Sequence, residues 1–160
     1  MFYHVKSWLT ILMLTPLVSP GQVNWMSFEE MEQAFSQQPK MVFIDFWADW
    51  CGPCKRMDKY VFSNQEVVEK LNADYYPVRM NVEAADTIYF GGKEFVNRSI
   101  GESKTGFHEL AELLGQDEEG RFSMPTLAIF DQNFQPVAKY HKYLHSKNLL
   151  KMLDTAGTQN

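Results

Sequence analysis

Two cysteines with two residues between them are the side chains best suited to chemistry in this sequence. They lie in the segment Trp50-Cys51-Gly52-Pro53-Cys54, where a predicted buried strand turns into a predicted helix. A thiol at a helix N-terminus faces unpaired N–H groups and the positive end of the helix dipole, which stabilise its thiolate. Cys51 is therefore the candidate nucleophile. Cys54, one helical turn further in, can attack a mixed disulfide on Cys51 and release the product, while Gly52 and Pro53 allow the tight turn that keeps both sulfurs close.

The same Cys-x-x-Cys spacing also occurs as one half of a zinc site, and this alternative stays open. His141 and His145 have a legitimate ligand spacing for the other half. They lie much further from Cys54 than the dozen or so residues typical of a zinc finger, and they straddle the predicted end of a strand. We therefore favour redox chemistry and expect no metal. His108, on a short predicted helix, is expected to be a surface or hydrogen-bonded histidine.

Asp45 is an acid inside the apolar run Met41–Trp47, six residues before Cys51. Such a run is typical of a strand buried on both faces. Burial disfavours the charged form of a carboxyl and raises its pKa. At this place Asp45 could exchange a proton with the inner thiol, through water. In the alternative interpretation its side chain points to the sheet edge and hydrogen-bonds to backbone.

Elements that could position these side chains alternate along the chain. Capping and periodicity predict helices that begin at Ser27, Pro53, Ser63, Thr105 and Ser146. The helix from Thr105 should end at Leu114, with Leu110, Leu113 and Leu114 on one side and Gly115 just past its end. Apolar runs and a hairpin signal predict strands over 41–47, 76–82, 126–131 and 136–140. Helices and strands alternate first and a hairpin with a helix follows, so the predicted class is α/β with a mixed sheet.

Composition limits the function classes. The chain has 160 residues, which fits one domain, and 45% hydrophobic residues, which can form a packed core. A net charge of −5 without a Lys/Arg block argues against nucleic acid as a partner. Two cysteines exclude a disulfide-scaffolded mini-protein and a four-cysteine zinc site.

The N-terminal residues 1–21 differ from the rest. Lys6 precedes a 12-residue apolar run, and small residues with a proline follow at Ser19-Pro20-Gly21. This order is that of a secretory signal peptide, with an uncleaved membrane anchor as the alternative. The expected organisation is a signal over 1–21 and one domain over 22–160, in an exported protein that is periplasmic or secreted.

Residues 42–57 (VFIDFWADWCGPCKRM) resemble the active-site segment of the thioredoxin family. Met124-Pro125-Thr126 resembles the second hallmark of that family, a cis-proline facing the cysteine pair. Arg79 stands where thioredoxins carry a lysine near the buried acid. The resemblance covers most of residues 25–155.

The resemblance implies a thioredoxin fold, in which a mixed central sheet is flanked by helices. It implies that Cys51 is the nucleophile and Cys54 the resolving thiol, with no cofactor beyond their redox-active disulfide, and that Asp45 is the proton acceptor for Cys54. It further implies that Trp47 and Trp50 frame the site, although a buried structural role for Trp47 is an equal alternative. The substrate-binding positions that it implies are Trp50, Gly52, Pro53, Met124 and Pro125, and at Pro125 the backbone stays free to pair with an extended substrate segment.

Two departures from the family concern partner choice. Residues 83–123 form an insertion before the cis-proline that is longer than in a plain thioredoxin, and we expect it to fold near Pro125 and shape the substrate groove. Lys142 replaces a glycine that lets partners approach. The run 48–82 is also similar to exported C-terminal domains of membrane thiol-electron transporters and their free-standing relatives.

The expected function is a thiol–disulfide oxidoreductase that reduces protein disulfides in the cell envelope. Its expected partners are disulfide-bearing protein substrates and a membrane thiol-electron donor, and the protein is expected to be a monomer. Two alternatives stay open: a disulfide oxidant or isomerase, and a redox-independent binding or chaperone module on the same fold.

Overall fold

The computed structural model describes residues 21–101 and 106–158. The helices there are α1 (Phe28–Gln37), α2 (Gly52–Tyr60), α3 (Gln65–Asp74), α4 (Glu109–Gly115) and α5 (Ser146–Gly157). The strands are β1 (Met41–Trp47), β2 (Tyr75–Asn81), β3 (Ile88–Phe90), β4 (Lys93–Phe95), β5 (Thr126–Phe130) and β6 (Pro136–Tyr140). The predicted signal over 1–21 lies outside the described residues except for Gly21.

The central sheet has the strand order β2-β1-β5-β6. Strand β1 pairs with β2 in parallel and with β5 antiparallel, and β5 pairs with β6 antiparallel. The predicted α/β class with a mixed sheet is therefore confirmed. The run MVFIDFW forms the inner strand β1, and its first six residues are buried, as its continuous apolar pattern predicts.

Successive side chains of β1 point to opposite faces of the sheet, so both faces are apolar, and a layer of helices covers each of them. Val42, Ile44 and Phe46 pack with α1 and α4 in one core cluster, to which both cysteines also belong. Phe43 packs with residues of α2, α3 and α5 in the other cluster. The N-terminus of α2 therefore lies where the two cores meet, at the end of the strand that leads into it.

Helix starts follow the predicted capping chemistry with two corrections. Ser27 and Glu30 form the predicted capping box of α1. Helix α3 is capped by Asn64 rather than Ser63, since the Asn64 side chain accepts from Val67 N. Ser146 was expected to cap α5 but is its first residue, and its hydroxyl donates to the Tyr60 carbonyl oxygen at 3.2 Å.

Helix α4 is shorter than predicted and begins after His108, which is fully buried. The imidazole Nδ1 of His108 accepts from Leu110 N, so the surface alternative for this histidine is wrong and the hydrogen-bonded one is confirmed. Leu113, expected on the apolar side with Leu110, is 62% exposed. Gly115 is the last residue of α4 rather than following it, and a Cβ added there would lie only 2.5 Å from the Phe122 ring.

The insertion 83–123 folds against the domain through two separate parts. Strands β3 and β4 form a small hairpin on α1, where the rings of Phe28 and Phe90 lie 5.4 Å apart. A carboxylate oxygen of Glu32 in α1 accepts from Gly91 N at 2.7 Å. The other part carries α4 and Phe122, whose ring lies 5.9 Å from Phe46 next to the end of β1. This second part approaches the Pro125 end of the sheet through its contact with β1.

Candidate redox site

Cys51 and Cys54 form a disulfide, with an S–S distance of 2.02 Å and their Cα atoms 5.3 Å apart. Cys51 is the N-cap residue of α2, and its sulfur accepts from Cys54 N at 3.1 Å. Pro53 occupies the first turn, where its missing N–H is not needed. The structure thus brings the two sulfurs together as the sequence predicts, and the sulfur of Cys51 accepts from an N–H at the helix start that has no partner within the helix. This environment favours a thiolate on Cys51 once the disulfide is reduced.

The surface around the disulfide is formed by the neighbours of Cys51. Both cysteines are nearly buried, whereas Trp50 is 60% exposed and Gly52 is exposed. The indole Nε1 of Trp50 donates to a carboxylate oxygen of Glu83 at 2.9 Å, which ties the ring to the start of the insertion. A Cβ added to Gly52 would meet no atom within 4 Å, so this position opens directly to solvent. The sulfur of another molecule would approach Cys51 from this exposed side.

The Met124–Pro125 peptide bond is cis, as the family resemblance implies. Pro125 directly precedes β5, and Thr126 of that strand pairs with Phe46 of β1. Since β1 leads into Cys51, this pairing puts Pro125 and the disulfide at the same end of the sheet. Met124 packs against the core cluster that contains both cysteines.

His141 ties the end of β6 to the Pro125 loop. The Thr126 hydroxyl donates to the Ser123 carbonyl oxygen at 2.6 Å, so it accepts from His141 Nδ1, which lies 2.9 Å away. The Ser123 hydroxyl donates to the His141 carbonyl oxygen at 3.2 Å. His145, the other half of the hypothetical zinc pair, is the N-cap residue of α5. The two histidines thus have separate structural surroundings, and the two cysteine sulfurs are bonded to each other.

Asp45 is 1% exposed, and its Oδ2 lies 3.2 Å from Nε of Arg79 without forming a hydrogen bond. The acid therefore faces an ion-pair partner inside the protein rather than a sheet edge. Arg79 Nη2 in turn donates to both carboxylate oxygens of Asp58, at 2.6 and 2.8 Å. Its guanidinium lies between the rings of Trp25 and Trp47, 5.4 and 4.9 Å from their centroids.

Burial raises the pKa of Asp45 to about 7, the positive charge of Arg79 opposes this shift, and the negative charge of Asp58 adds to it. Asp58 lies four residues after Cys54 on α2, so the two side chains share one face of the helix. Arg79 contacts both acids and so links the buried Asp45 to this face of α2. A carboxyl with a pKa near neutrality at this place is suited to accept a proton from an inner thiol.

Sequence reasoning missed three residues of this environment: Asp58, Trp25 and Glu83. The spacing of Asp58 from Cys54 is a usable signal, since i and i+4 positions share a helix face. No spacing in the sequence indicates Trp25 or Glu83. Trp25 contacts Arg79 and Glu83 contacts Trp50 only because distant segments pack together.

A family model described as a thioredoxin-like domain matches residues 28–157. Among curated proteins, the thiol:disulfide interchange protein DsbD of Photorhabdus laumondii is 45% identical over 49 residues, which cover 30% of this chain and 8% of that protein. The chain therefore matches only a small part of the length of this relative.

Solved structures share the fold. A thioredoxin from Thermus thermophilus aligns with a TM-score of 0.59 and 18% identity, covering 84% of this chain and 86% of that one. The C-terminal domain of Neisseria meningitidis DsbD in the reduced form aligns with a TM-score of 0.51 and 19% identity, covering 79% and 90%. Within the described part of the chain, no helix has the length and apolarity needed to cross a membrane.

Proposed function

Since this chain belongs to the thioredoxin-like family and carries a Cys51–Cys54 pair suited to thiol–disulfide exchange, we propose that it reduces protein disulfides in the cell envelope. The observation that carries the proposal is the placement of Cys51, whose sulfur caps α2 and accepts from Cys54 N. The proposal assigns the catalytic roles to Cys51, Cys54 and Asp45.

The reaction begins with both cysteines reduced. The Cys51 thiolate attacks one sulfur of the substrate disulfide, that S–S bond breaks, and the leaving substrate sulfur takes a proton. Cys51 is now joined to the substrate through a mixed disulfide. The Cys54 thiol gives its proton to Asp45 and attacks the Cys51 sulfur, which releases the second substrate thiolate and forms the Cys51–Cys54 disulfide. Two electrons have then passed to the substrate, and an external dithiol must return two electrons to the protein.

Asp45 serves the second half of this sequence. A carboxyl with a pKa of about 7 is partly ionised at neutral pH, so it can accept a proton and later release it. Arg79 supports the ionised form of Asp45, and Asp58 holds Arg79 in place through two hydrogen bonds. Asp58 and Arg79 are positioning residues in this proposal.

Substrate binding is assigned to the exposed surface around the disulfide. Exposed Trp50 and Gly52 and half-buried Pro53 present that surface beside Cys51, and half-buried Met124 with buried Pro125 lies at the same end of the sheet. An extended substrate segment would pair with backbone next to Pro125, where the proline supplies no competing N–H.

The reducing direction, the exported location and the electron supply also belong to the proposal. The Gly-Pro dipeptide between the cysteines resembles that of reducing family members, whose potentials are on the order of −270 mV. The similarity to part of DsbD supports a membrane thiol-electron transporter as the donor. No further cofactor enters the reaction, and a disulfide-bearing protein is the substrate.

The test measures the redox potential and the reduction of insulin disulfides by purified protein. Equilibration with glutathione buffers should give a potential near −270 mV, and reduction of insulin should need both cysteines. The Cys51→Ser and Cys54→Ser double variant is the control, and a redox-independent binding module would retain its function in it. A potential near −120 mV would instead indicate an oxidant and contradict the reducing direction.

A further inference from the structure

Several cations on neighbouring elements beside the redox site have no carboxylate partner. They are the exposed residues Lys55, Arg56, Lys59, Lys142, Lys147 and Lys151, here called the basic face. In the described part of the chain, the ion pairs of Lys and Arg involve Lys70, Arg79, Arg98 and Arg121 instead. The basic face therefore carries uncompensated positive charge in a chain whose net charge is −5.

The members of the basic face lie on elements that touch each other. The guanidinium of Arg56 on α2 lies 5.4 Å from the centroid of the Tyr143 ring, next to Lys142. Ser146, at the start of α5, donates its hydroxyl to the Tyr60 carbonyl oxygen at the end of α2. These two contacts hold α2, the segment after β6 and the first turn of α5 together as one surface.

The same surface borders the proposed substrate site. Lys55 directly follows Cys54, and Lys142 directly follows His141, whose ring is hydrogen-bonded to Thr126 beside Pro125. A polypeptide that presents a disulfide to Cys51 and lies along Pro125 would thus extend over Lys142.

The acids nearest to the basic face leave most of its charge uncompensated. Asp58 on α2 is bound to Arg79, and Asp154 on α5 is bound to Lys70. Glu66 shares a groove with Lys147 and Lys151 at the far end of the face. In the described part of the chain no carboxylate is paired with the α2 cations or Lys142, although exposed Asp49 lies two residues before Cys51 and Glu118 lines a groove with His141.

We propose that the basic face binds an acidic polypeptide segment next to the disulfide of the substrate. This inference rests on the proposed function and adds the chemical class of its substrates. Clustered charge of one sign attracts an oppositely charged partner, orients its approach and accelerates association by about 10–10³-fold at low salt. Lys142, which stands where thioredoxins usually have a glycine, would then form an electrostatic contact with the partner.

The experiment compares disulfide peptides that differ only in their flanking residues, which are Glu, Gln or Lys. The rate constant for oxidation of the reduced protein is measured in single turnover, with the uncharged 2-hydroxyethyl disulfide as a reference substrate. At low salt we expect the Glu peptide to react roughly tenfold faster than the Gln peptide and the Lys peptide to react slowest. The difference should shrink at about 0.5 M NaCl, where the Debye length falls to a few ångströms.

Two charge-reversal variants locate the effect. Lys142→Glu should lower the ratio of the Glu-peptide rate to the Gln-peptide rate several-fold, and Lys59→Glu should do the same. Lys93→Glu is the matched control, because Lys93 is exposed on β4, on the hairpin that packs against α1, and its reversal changes the net charge equally. Thermal melts of the three variants verify that they are folded.

The outcomes separate this inference from the proposed function. Failure to reduce any of the disulfides, the reference included, would overturn the proposed function. Reduction of all peptides at equal rates, or equal effects of Lys93→Glu and Lys142→Glu, would overturn the basic face alone. The last experiment measures whether the protein sediments with phosphatidylglycerol vesicles. If it binds the vesicles, loses this binding in Lys142→Glu and shows no preference among the peptides, the basic face binds anionic lipid and the proposal is overturned.

Discussion

At the scale of single residues, two thiols and one acid lie in unequal environments. Cys51 caps α2 and accepts an N–H, whereas Cys54 lies one turn further into the helix. Asp45 is buried, with Arg79 as its charge partner, and Arg79 also binds Asp58 of α2. In the proposed reaction these differences divide the work: Cys51 attacks the substrate, Cys54 resolves the mixed disulfide, and Asp45 takes the proton that Cys54 must lose.

Asp45→Asn should slow the release step more than the first attack. General-base assistance is worth about 10²–10⁴-fold, and since water can partly substitute we expect a loss nearer the low end. In the unchanged protein the rate of release should rise with pH up to about 7, where Asp45 ionises, and this dependence should disappear in the variant. Stopped-flow measurement of both steps between about pH 5 and pH 9 provides the test.

The same substitution has a consequence for stability with a defined sign. The pKa of Asp45 is raised in the folded protein to about 7 from 3.8, so the folded state loses stability as pH rises between these two values. Asn cannot ionise and avoids this loss, so at about pH 8 the variant should melt at an equal or higher temperature.

Asp58→Asn is the matched control for Asp45→Asn. It removes a neighbouring negative charge that raises the pKa of Asp45, and it leaves the buried acid in place. The pH profile of release should therefore move to lower pH without disappearing. If Asp45→Asn left the release rate unchanged and lowered the melting temperature, Asp45 would be a structural residue and its assigned role would be wrong.

At the scale of elements, the end of α4 is held by a close approach that only glycine permits. A Cβ on Gly115 would lie 2.5 Å from the Phe122 ring and 3.4 Å from Phe46. Phe122 has little freedom to move away, because its ring contacts those of Phe107 and Phe46. Since Phe122 lies two residues before Met124, this packing also supports the loop with the cis-proline.

Gly115→Ala should destabilise the protein by about 1–3 kcal/mol, the range for overpacking a core. Alanine is otherwise favoured over glycine in a helix by about 1 kcal/mol, so the steric effect must exceed that gain. Gly157→Ala is the matched control, because Gly157 also ends a helix and its added Cβ would make only an ordinary contact, 3.9 Å from Tyr75 Oη. Chemical denaturation of both variants decides the matter: equal or greater stability of Gly115→Ala would contradict the packing argument.

At the scale of the whole molecule, local patterns predicted most of the fold and the centre of the site. The alternation of elements predicted the mixed sheet, and the apolar run before Cys51 predicted the inner strand β1. The Cys-x-x-Cys spacing predicted that the two sulfurs lie close together, and the family resemblance implied the disulfide that they form. The burial of Asp45 also followed from its apolar neighbours in the sequence.

Features that join distant segments escaped prediction. The family resemblance implied that Arg79 lies near Asp45, but the second contact of its guanidinium, with Asp58, was not predicted because these residues lie on different elements. The exposure of Leu113 depends on which side of α4 meets the sheet, and the prediction from periodicity alone was wrong for this residue. The basic face likewise exists only because the fold brings α2 beside the start of α5.

The central claim, that Cys51 attacks protein disulfides and Cys54 releases them, is tested most directly by trapping mixed disulfides in cells. With Cys54→Ser the release step is blocked, so covalent adducts should accumulate on Cys51 and disappear on treatment with dithiothreitol. The matched variant Cys51→Ser should give few or no adducts, because it removes the attacking thiol and leaves Cys54 in its nearly buried position. Abundant adducts with Cys51→Ser and none with Cys54→Ser would contradict the account.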